Sequence, residues 1–396
     1  MFAIDLLVVL FAALVGRLIS KRLRQPVVFG EILLGMVIGT LAANGIHLVE
    51  GSEVMEGFGQ VGILLLLFSA GLATSLEELK RLGGPSITAA FGGVILPFAL
   101  GYIASLAFGY SNLVALLVGT GLVATSVGVN AEILSEMRLL RTKIGTLIMG
   151  TALADDVIGI IMLSVMVSFA TSGTVPVRET LTTLVLTIVF FALCLVVGIK
   201  ALTLISRKLD LGRYDLLLVG VIVAVALGTI ADTIGLAMII GGFLAGLMLG
   251  QSRYSARLIQ QTTLVGEGFF VPIFFVTTGM AFDPGAILGA GGFAIAILAS
   301  AILGKVIGCF FATKVSGFGT AESTVVGIAM IPRAGVELVL IRIGLDAGIF
   351  GPEIVSSLLV MVIATTMITP PLLSYALKKF GLVERRGSSE VAVRGG

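Results

Sequence analysis

The sequence predicts an all-α polytopic membrane protein, and three observations carry that expectation. Of its 396 residues, 57% are hydrophobic and only 12% are charged, against the roughly 25% charged residues of soluble domains. The apolar residues are gathered into runs of about 17 or more, the length a helix needs to cross the hydrocarbon of a bilayer. The Lys and Arg residues fall almost entirely in alternate connections between those runs, as they do when the loops on one face of a membrane retain positive charge. Mean hydropathy is +1.15. The net charge of +2 carries little, because the placement of the positives is the informative quantity.

Divided at charged and Gly/Pro-rich breaks, the runs are 2–20, 27–46, 58–75, 85–108, 112–134, 142–171, 179–206, 213–231, 233–250, 261–281, 286–314, 320–343 and 352–377, thirteen transmembrane helices in all. The first reads as a span and not as a cleaved signal: its leader carries Asp5 instead of basic residues, and no small-x-small cleavage site follows. Lys21, Arg22 and Arg24 follow span one, Lys80 and Arg81 span three, and Arg138, Arg141 and Lys143 span five. Arg207, Lys208 and Arg213 follow span seven, and Arg253 and Arg257 span nine. The even connections contribute only Arg178, with Arg342 near the last of them. This asymmetry predicts an external N-terminus and a cytoplasmic C-terminus. About 30 residues per span leave no room for a soluble domain.

Thirteen is also six plus one plus six. If spans 1–6 and 8–13 are repeats, the offset of seven inverts the second relative to the first, the architecture common in secondary transporters. Span five is interrupted by Ala124-Thr125-Ser126-Val127-Gly128-Val129-Asn130, and its expected mate, span twelve, by Ile331-Pro332-Arg333-Ala334-Gly335-Val336-Glu337. Two interrupted helices that cross in the core would place helix ends, with their dipoles and free carbonyls, at mid-membrane.

The stretch everything else serves is Gly150 to Ile160, where Asp155 and Asp156 sit side by side in an apolar run. An ionisable residue there costs at least a few kcal/mol and marks an ion pathway by default. Successive helix residues point about 100° apart, so the two acids take different partners. Lys305 lies deep in span eleven, too far from either end to snorkel easily. Pairing offsets desolvation, and we assign Asp155 to Lys305 and Asp156 to the transported cation, although spacing alone permits the reverse. Arg333 and Glu337 are four apart and can pair along span twelve, either shaping the interrupted helix or acting in transport. Thr125, Ser126 and Asn130 can lend oxygens to a hard cation; Ser126 and Asn130 can equally cap the freed backbone. Glu31 reads as an interface or cytoplasm-facing carboxylate, and His47 as a lone exposed histidine.

Cys194 and Cys309 sit inside apolar runs and read as small buried side chains. No CxxC, HExxH or Gly-rich phosphate loop occurs, so metal hydrolysis and nucleotide binding find no support, and neither a cofactor nor a nucleic-acid partner is expected.

With Asp155-Asp156, Lys305 and two interrupted helices in hand, the sequence resembles the second cation:proton antiporter family, and most of all its NapA-type sodium/proton antiporters. The likeness covers nearly the whole chain and rests on Ala154-Asp155-Asp156-Val157-Ile158-Gly159, Gln25 to Gly35, Leu67-Phe68-Ser69-Ala70-Gly71-Leu72, Ala124 to Gly128, Pro272 to Met280, and Pro332 to Glu337. Thr40 stands where many relatives have Pro, and Ala73-Thr74 replace an acidic pair of the potassium-efflux branch, as Asp155 replaces that branch's Gln. The resemblance implies a homodimer in membrane lipid. It implies a dimerisation domain (1–80 and 211–284), a core transport domain (81–178 and 285–380) that moves against it in an elevator-like cycle, a linker helix (179–210) and a cytoplasmic tail (381–396).

The expected cycle is competition of sodium or lithium with protons for Asp156 and Asp155, with Lys305 coupled to the proton. Loaded with proton, neutral Asp156 and the Asp155–Lys305 pair sum to zero charge; loaded with sodium, two carboxylates, one ion and a deprotonated lysine sum to −1, so exchange is electrogenic. Potassium/proton exchange is the alternative within transporters. A passive cation channel and an intramembrane aspartyl protease are rivals from other classes. The protease needs two carboxylates converging on one water, whereas adjacent residues diverge.

Overall fold

Apolar runs of this length can satisfy their backbone polar groups in lipid only by forming helices, and helices are what form. The computed structural model describes residues 2–23, 25–49, 53–74, 76–172, 177–208, 212–280, 291–333 and 348–382, with 337, 340, 341 and 344 between the last two. Arg24, Ala334 to Val336, Arg342, the start of span eleven and nearly all of the tail lie outside these residues. In chain order the helices are α1 (Phe2–Leu23), α2 (Val27–Ala43), α3 (Glu53–Ala73), α4 (Leu76–Ala107), α5 (Asn112–Gly121), α6 (Val127–Glu136) and α7 (Lys143–Ser172). Next comes α8, an unbroken succession of Val177–Ala192, a π-helical turn Leu193–Gly198, and Ile199–Lys208. It is followed by α9 (Arg213–Thr233) and α10 (Met238–Leu249), then α11, which joins Ser255–Val265 to Val271–Met280 through a second π-helical turn, Gly266–Phe270. The last three are α12 (Gly291–Val315), α13 (Thr320–Ala329) and α14 (Pro352–Lys379). No strand occurs among the described residues. Among the described residues, nine helical stretches are long and apolar enough to cross a membrane by length and composition, and α2, α5 and α10 are shorter apolar helices.

Small residues decide which helices approach. Lipid is as apolar as leucine, so helices associate by close packing, which Gly and Ala permit. α12 lies along α4 in the most extensive contact of the molecule. At their crossing Gly92 and Gly308 face each other so closely that a methyl on either would meet the other's carbonyl oxygen. α2 meets α11 as closely at Gly35 and Gly279, where a methyl on Gly35 would meet the Val276 carbonyl oxygen and one on Gly279 that of Ile32. Gly308→Val therefore has no room, and we expect it to cost about 1–3 kcal/mol and lower the midpoint of thermal unfolding in detergent. An unchanged midpoint would show that this crossing tolerates separation.

The packing falls into two sets. α4, α5, α7, α12, α13 and α14 pack chiefly on one another, and α1, α2, α3, α9, α10 and α11 on one another. α6 touches both sets, and α8 lies against α7 on one side and α10 on the other.

Candidate ion-binding site

Two chain breaks and two continuous helices build the site. α5 stops at Gly121 and α6 begins at Val127, with Ser126 as its N-cap; the Ser126 hydroxyl accepts from the Val129 amide at 3.5 Å, satisfying one of the amides a helix start leaves free. α13 stops at Ala329, and Ile331 to Arg333 continue without helix. The breaks are bonded to each other. The Ser126 amide donates to the Pro332 carbonyl at 2.7 Å, the Thr125 hydroxyl to the Met330 carbonyl at 3.1 Å, and Arg333 Nη1 to the Ala124 carbonyl. The Thr366 hydroxyl, from α14, donates to the Arg333 carbonyl. An unpaired backbone group away from water costs several kcal/mol, and here each interruption supplies partners for the other. Arg333 is fully buried and lies 3.8 Å from Glu337.

Asp155 and Asp156 project from α7 in different directions. Asp155 turns toward α12, where Lys305 Nζ donates to Oδ1 at 2.7 Å and to Oδ2 at 2.8 Å. Both side chains are sealed from solvent. Lys305 is ten residues from the end of α12, roughly 15 Å of helix, so its ammonium cannot reach an aqueous surface. α4 makes the space for it: a methyl on Gly93 would stand 3.5 Å from both Cδ and Nζ of Lys305 and 2.5 Å from Cys309 Sγ.

Asp156 faces the other way, into a cavity of about 680 Å³. Thr125, Ser126 and Glu337 from the two breaks share its wall, together with Gln60 of α3 and Asp232 of α9. Gln60 and Asp232 are exposed, which puts the mouth on the side of the α9–α10 turn, opposite the Lys/Arg-rich connections. A hard cation entering there meets carboxylate, hydroxyl and carbonyl oxygens, the donors such an ion takes.

The sequence reading passed over Gln60 and Asp232. The available signal was that Asp232 alone interrupts an apolar stretch reaching from α9 into α10. Asn130 is fully buried, is not part of the cavity wall, and neither of its amide atoms has a hydrogen-bond partner. The cap expected of Ser126 or Asn130 is made by Ser126; Asn130 lies past the first turn, beyond the amides that need one.

Toward the Lys/Arg-rich connections lies a further group of polar contacts. Arg17 Nε donates to Glu31 Oε1 at 2.7 Å, and the Glu31 side chain is wholly buried, so this carboxylate faces a helix interface and not solvent. Arg17 Nη2 donates to the Glu267 carbonyl at 2.5 Å. From α6, the Ser135 hydroxyl donates to Glu267 Oε1 at 2.8 Å, and Glu136 Oε2 accepts from the Val27 amide at 2.8 Å. His47 is exposed between α2 and α3, and Cys194 and Cys309 are free and buried.

The sequence profile of the family described as "Sodium/hydrogen exchanger, transmembrane" matches residues 8–379. The chain is 35% identical over 371 residues to the Na(+)/H(+)-K(+) antiporter GerN of Bacillus cereus, covering 93% of this chain and 94% of that protein. It is 29% identical to a Na(+)/H(+) antiporter of Enterococcus hirae, with 94% and 97% covered. It is 31% identical to the high-affinity Na(+)/H(+) antiporter NhaS3 of Synechocystis, with 93% and 88% covered. Among solved structures, the sodium proton antiporter MjNhaP1 of Methanocaldococcus jannaschii superposes with a TM-score of 0.71, covering 96% of this chain and 98% of that one at 17% identity, which is a likeness of fold.

Proposed function

This chain belongs to the sodium/hydrogen exchanger family, a family of membrane-spanning antiporters, and from that premise we propose that it exchanges cytoplasmic sodium or lithium for external protons at Asp156. The observation that carries the reading is the division of labour on α7: Asp156 borders the cavity while its neighbour is sealed against Lys305. A cation can reach only one of the two acids in this state. To bind firmly it must draw on Asp155 as well, and Asp155 is free to contribute only when Lys305 gives up a proton and lets go. Binding one sodium ion then expels two protons, one from Asp156 and one from Lys305. The two loaded states differ by one charge, and the membrane potential can drive the cycle.

Alternating access follows from the two packing sets. We assign α4 to α7 and α12 to α14 to the moving core, α1 to α3 and α9 to α11 to a dimerisation domain, and α8 to the linker. We assign α5 with α6 to one crossing, in keeping with thirteen spans arranged as two inverted repeats. The cavity opens on the side away from the Lys/Arg-rich connections, which the charge rule places outside; this is the outward-open end of the cycle. The Ser135–Glu267 and Glu136–Val27 bonds join the core to the dimerisation domain on the closed side. Removing both in Ser135→Ala/Glu136→Ala costs the closed state about 1–2 kcal/mol and shifts the population 5- to 30-fold toward inward opening. Labelling of a single cysteine at Ala131 by a membrane-impermeant maleimide from the Lys/Arg-rich side should rise accordingly, in a background lacking Cys194 and Cys309. Equal labelling with and without the two bonds would mean that they do not hold that side shut.

The decisive measurement is proton movement out of reconstituted vesicles challenged in turn with lithium, sodium and potassium. Sodium and lithium should drive it and an imposed potential should change its rate. The relative named for both sodium and potassium, GerN, favours potassium as the second reading; a potassium response equal to that of sodium would establish it. Sodium flux that moves no protons would mark a channel.

A further inference from the structure

The other face of α7 borders a second cavity, about 480 Å³, enclosed by α4, α7, α8 and α10 and walled almost wholly by apolar side chains. Ala154, immediately before Asp155, is in that wall. On α4 the lining residues Lys80, Gly83, Ile87 and Phe91 fall at steps of three and four, one continuous stripe. Their span of eleven residues is roughly 16 Å of helix, about half of a hydrocarbon core ~30 Å thick. The crevice therefore has the depth of a single leaflet. It is open sideways, because Ile87 and Phe91 are each 50% exposed and Ile188 of α8 is 59% exposed.

Three polar side chains line it, Lys80 and Ser86 of α4 and Thr187 of α8, and the first two sit where a lipid's head-group contacts would. Lys80 is exposed at the end of the stripe nearest the Lys/Arg-rich connections, one residue from Arg81. About 9 Å deeper along the helix, the Ser86 hydroxyl lies in the wall, 2% exposed and without a hydrogen-bond partner. A buried hydroxyl with nothing to bond to is an unfavourable arrangement, and it is relieved by an acceptor entering the cavity. A methyl on Gly83 would meet nothing within 4 Å, so the space beside it is open.

We propose that this crevice is a binding site for one anionic phospholipid, its phosphate on Lys80, an ester carbonyl accepting from Ser86 and an acyl chain along Ile87 and Phe91 against α7 and α8. A soluble ligand fits neither the apolar wall nor the sideways opening. The lipid separates α4 and α7 from α8 and α10, the surfaces that slide in the proposed cycle, so an anionic lipid should also speed exchange; this part rests on the antiport reading, whereas occupancy does not.

Two readouts keep the claims apart. Native mass spectrometry of the full chain extracted in mild detergent should show one retained phospholipid per chain, enriched in phosphatidylglycerol over phosphatidylcholine when both are supplied. Lys80→Glu should abolish the preference, and Gly83→Phe, which fills the open space, should abolish retention. In vesicles, raising phosphatidylglycerol in phosphatidylcholine should increase sodium-driven proton movement several-fold for the native chain and leave Gly83→Phe unchanged. Retention equal in all three proteins, or no preference for the anionic lipid, overturns the site. Selective retention lost in the variants while exchange ignores lipid composition upholds the site and overturns its coupling to transport. If neither lipid composition supports exchange, the antiport reading is what fails, and retention still decides the site.

Discussion

Asp156→Asn should reduce sodium-driven proton movement in reconstituted vesicles to the level of protein-free vesicles, a loss of at least about 100-fold, equivalent to ~2.7 kcal/mol. The amide has nearly the shape of the carboxyl it replaces but can neither release a proton nor offer a negative oxygen to an ion leaving its hydration shell. Asp156 is 5% exposed and borders the cavity, so the substitution opens no void and strands no charge. The variant should therefore elute as the native protein does and unfold within a few degrees of it, which separates loss of transport from loss of fold. A folded variant retaining a tenth or more of the native rate would mean that another group carries the ion.

The second large effect is expected in stability. Lys305→Gln leaves Asp155 fully buried without its cationic partner. Breaking a buried pair by removing one member costs about 3–5 kcal/mol, more than the pair contributes relative to a neutral replacement, because the surviving charge stays desolvated. The thermal midpoint in detergent should fall by several degrees, and Lys305→Gln/Asp155→Asn should recover most of that loss. Any exchange remaining in Lys305→Gln should no longer respond to an imposed membrane potential, since the lysine proton carries the extra charge. A single variant as stable as the native chain would show that Asp155 has a second source of compensation, and voltage-dependent exchange without Lys305 would refute its part in coupling.

How much of this was legible beforehand differs from element to element. The long helices were, because a run such as Gly291–Val315 has one way to satisfy its backbone in lipid. The interruptions were visible as Gly, Pro and polar residues within apolar stretches, and Asp155, Asp156 and Lys305 stood out as charges with no aqueous neighbour. The π-helical turns at Leu193–Gly198 and Gly266–Phe270 were not. A single extra residue per turn leaves no mark on composition, and whether it is tolerated depends on what packs against it. Asp232 was taken for a connection because its neighbour across the cavity, Gln60, is 172 residues away in the chain. Glu31 was read as an exposed or interfacial acid because Arg17, which pairs with it, lay inside a span and drew no notice.

By itself the sequence determined the class of molecule, the positions of its long helices and the residues that must be compensated, because apolar length and buried charge are local properties that any fold of the chain has to accommodate. Tertiary structure alone decided which acid meets Lys305, which one meets the cavity, and that the two interruptions bond to each other. Two carboxylates on consecutive residues are equivalent until the packing of α4 against α12, set by glycines too small to hold the helices apart, brings an ammonium to one side of α7 and leaves open space on the other.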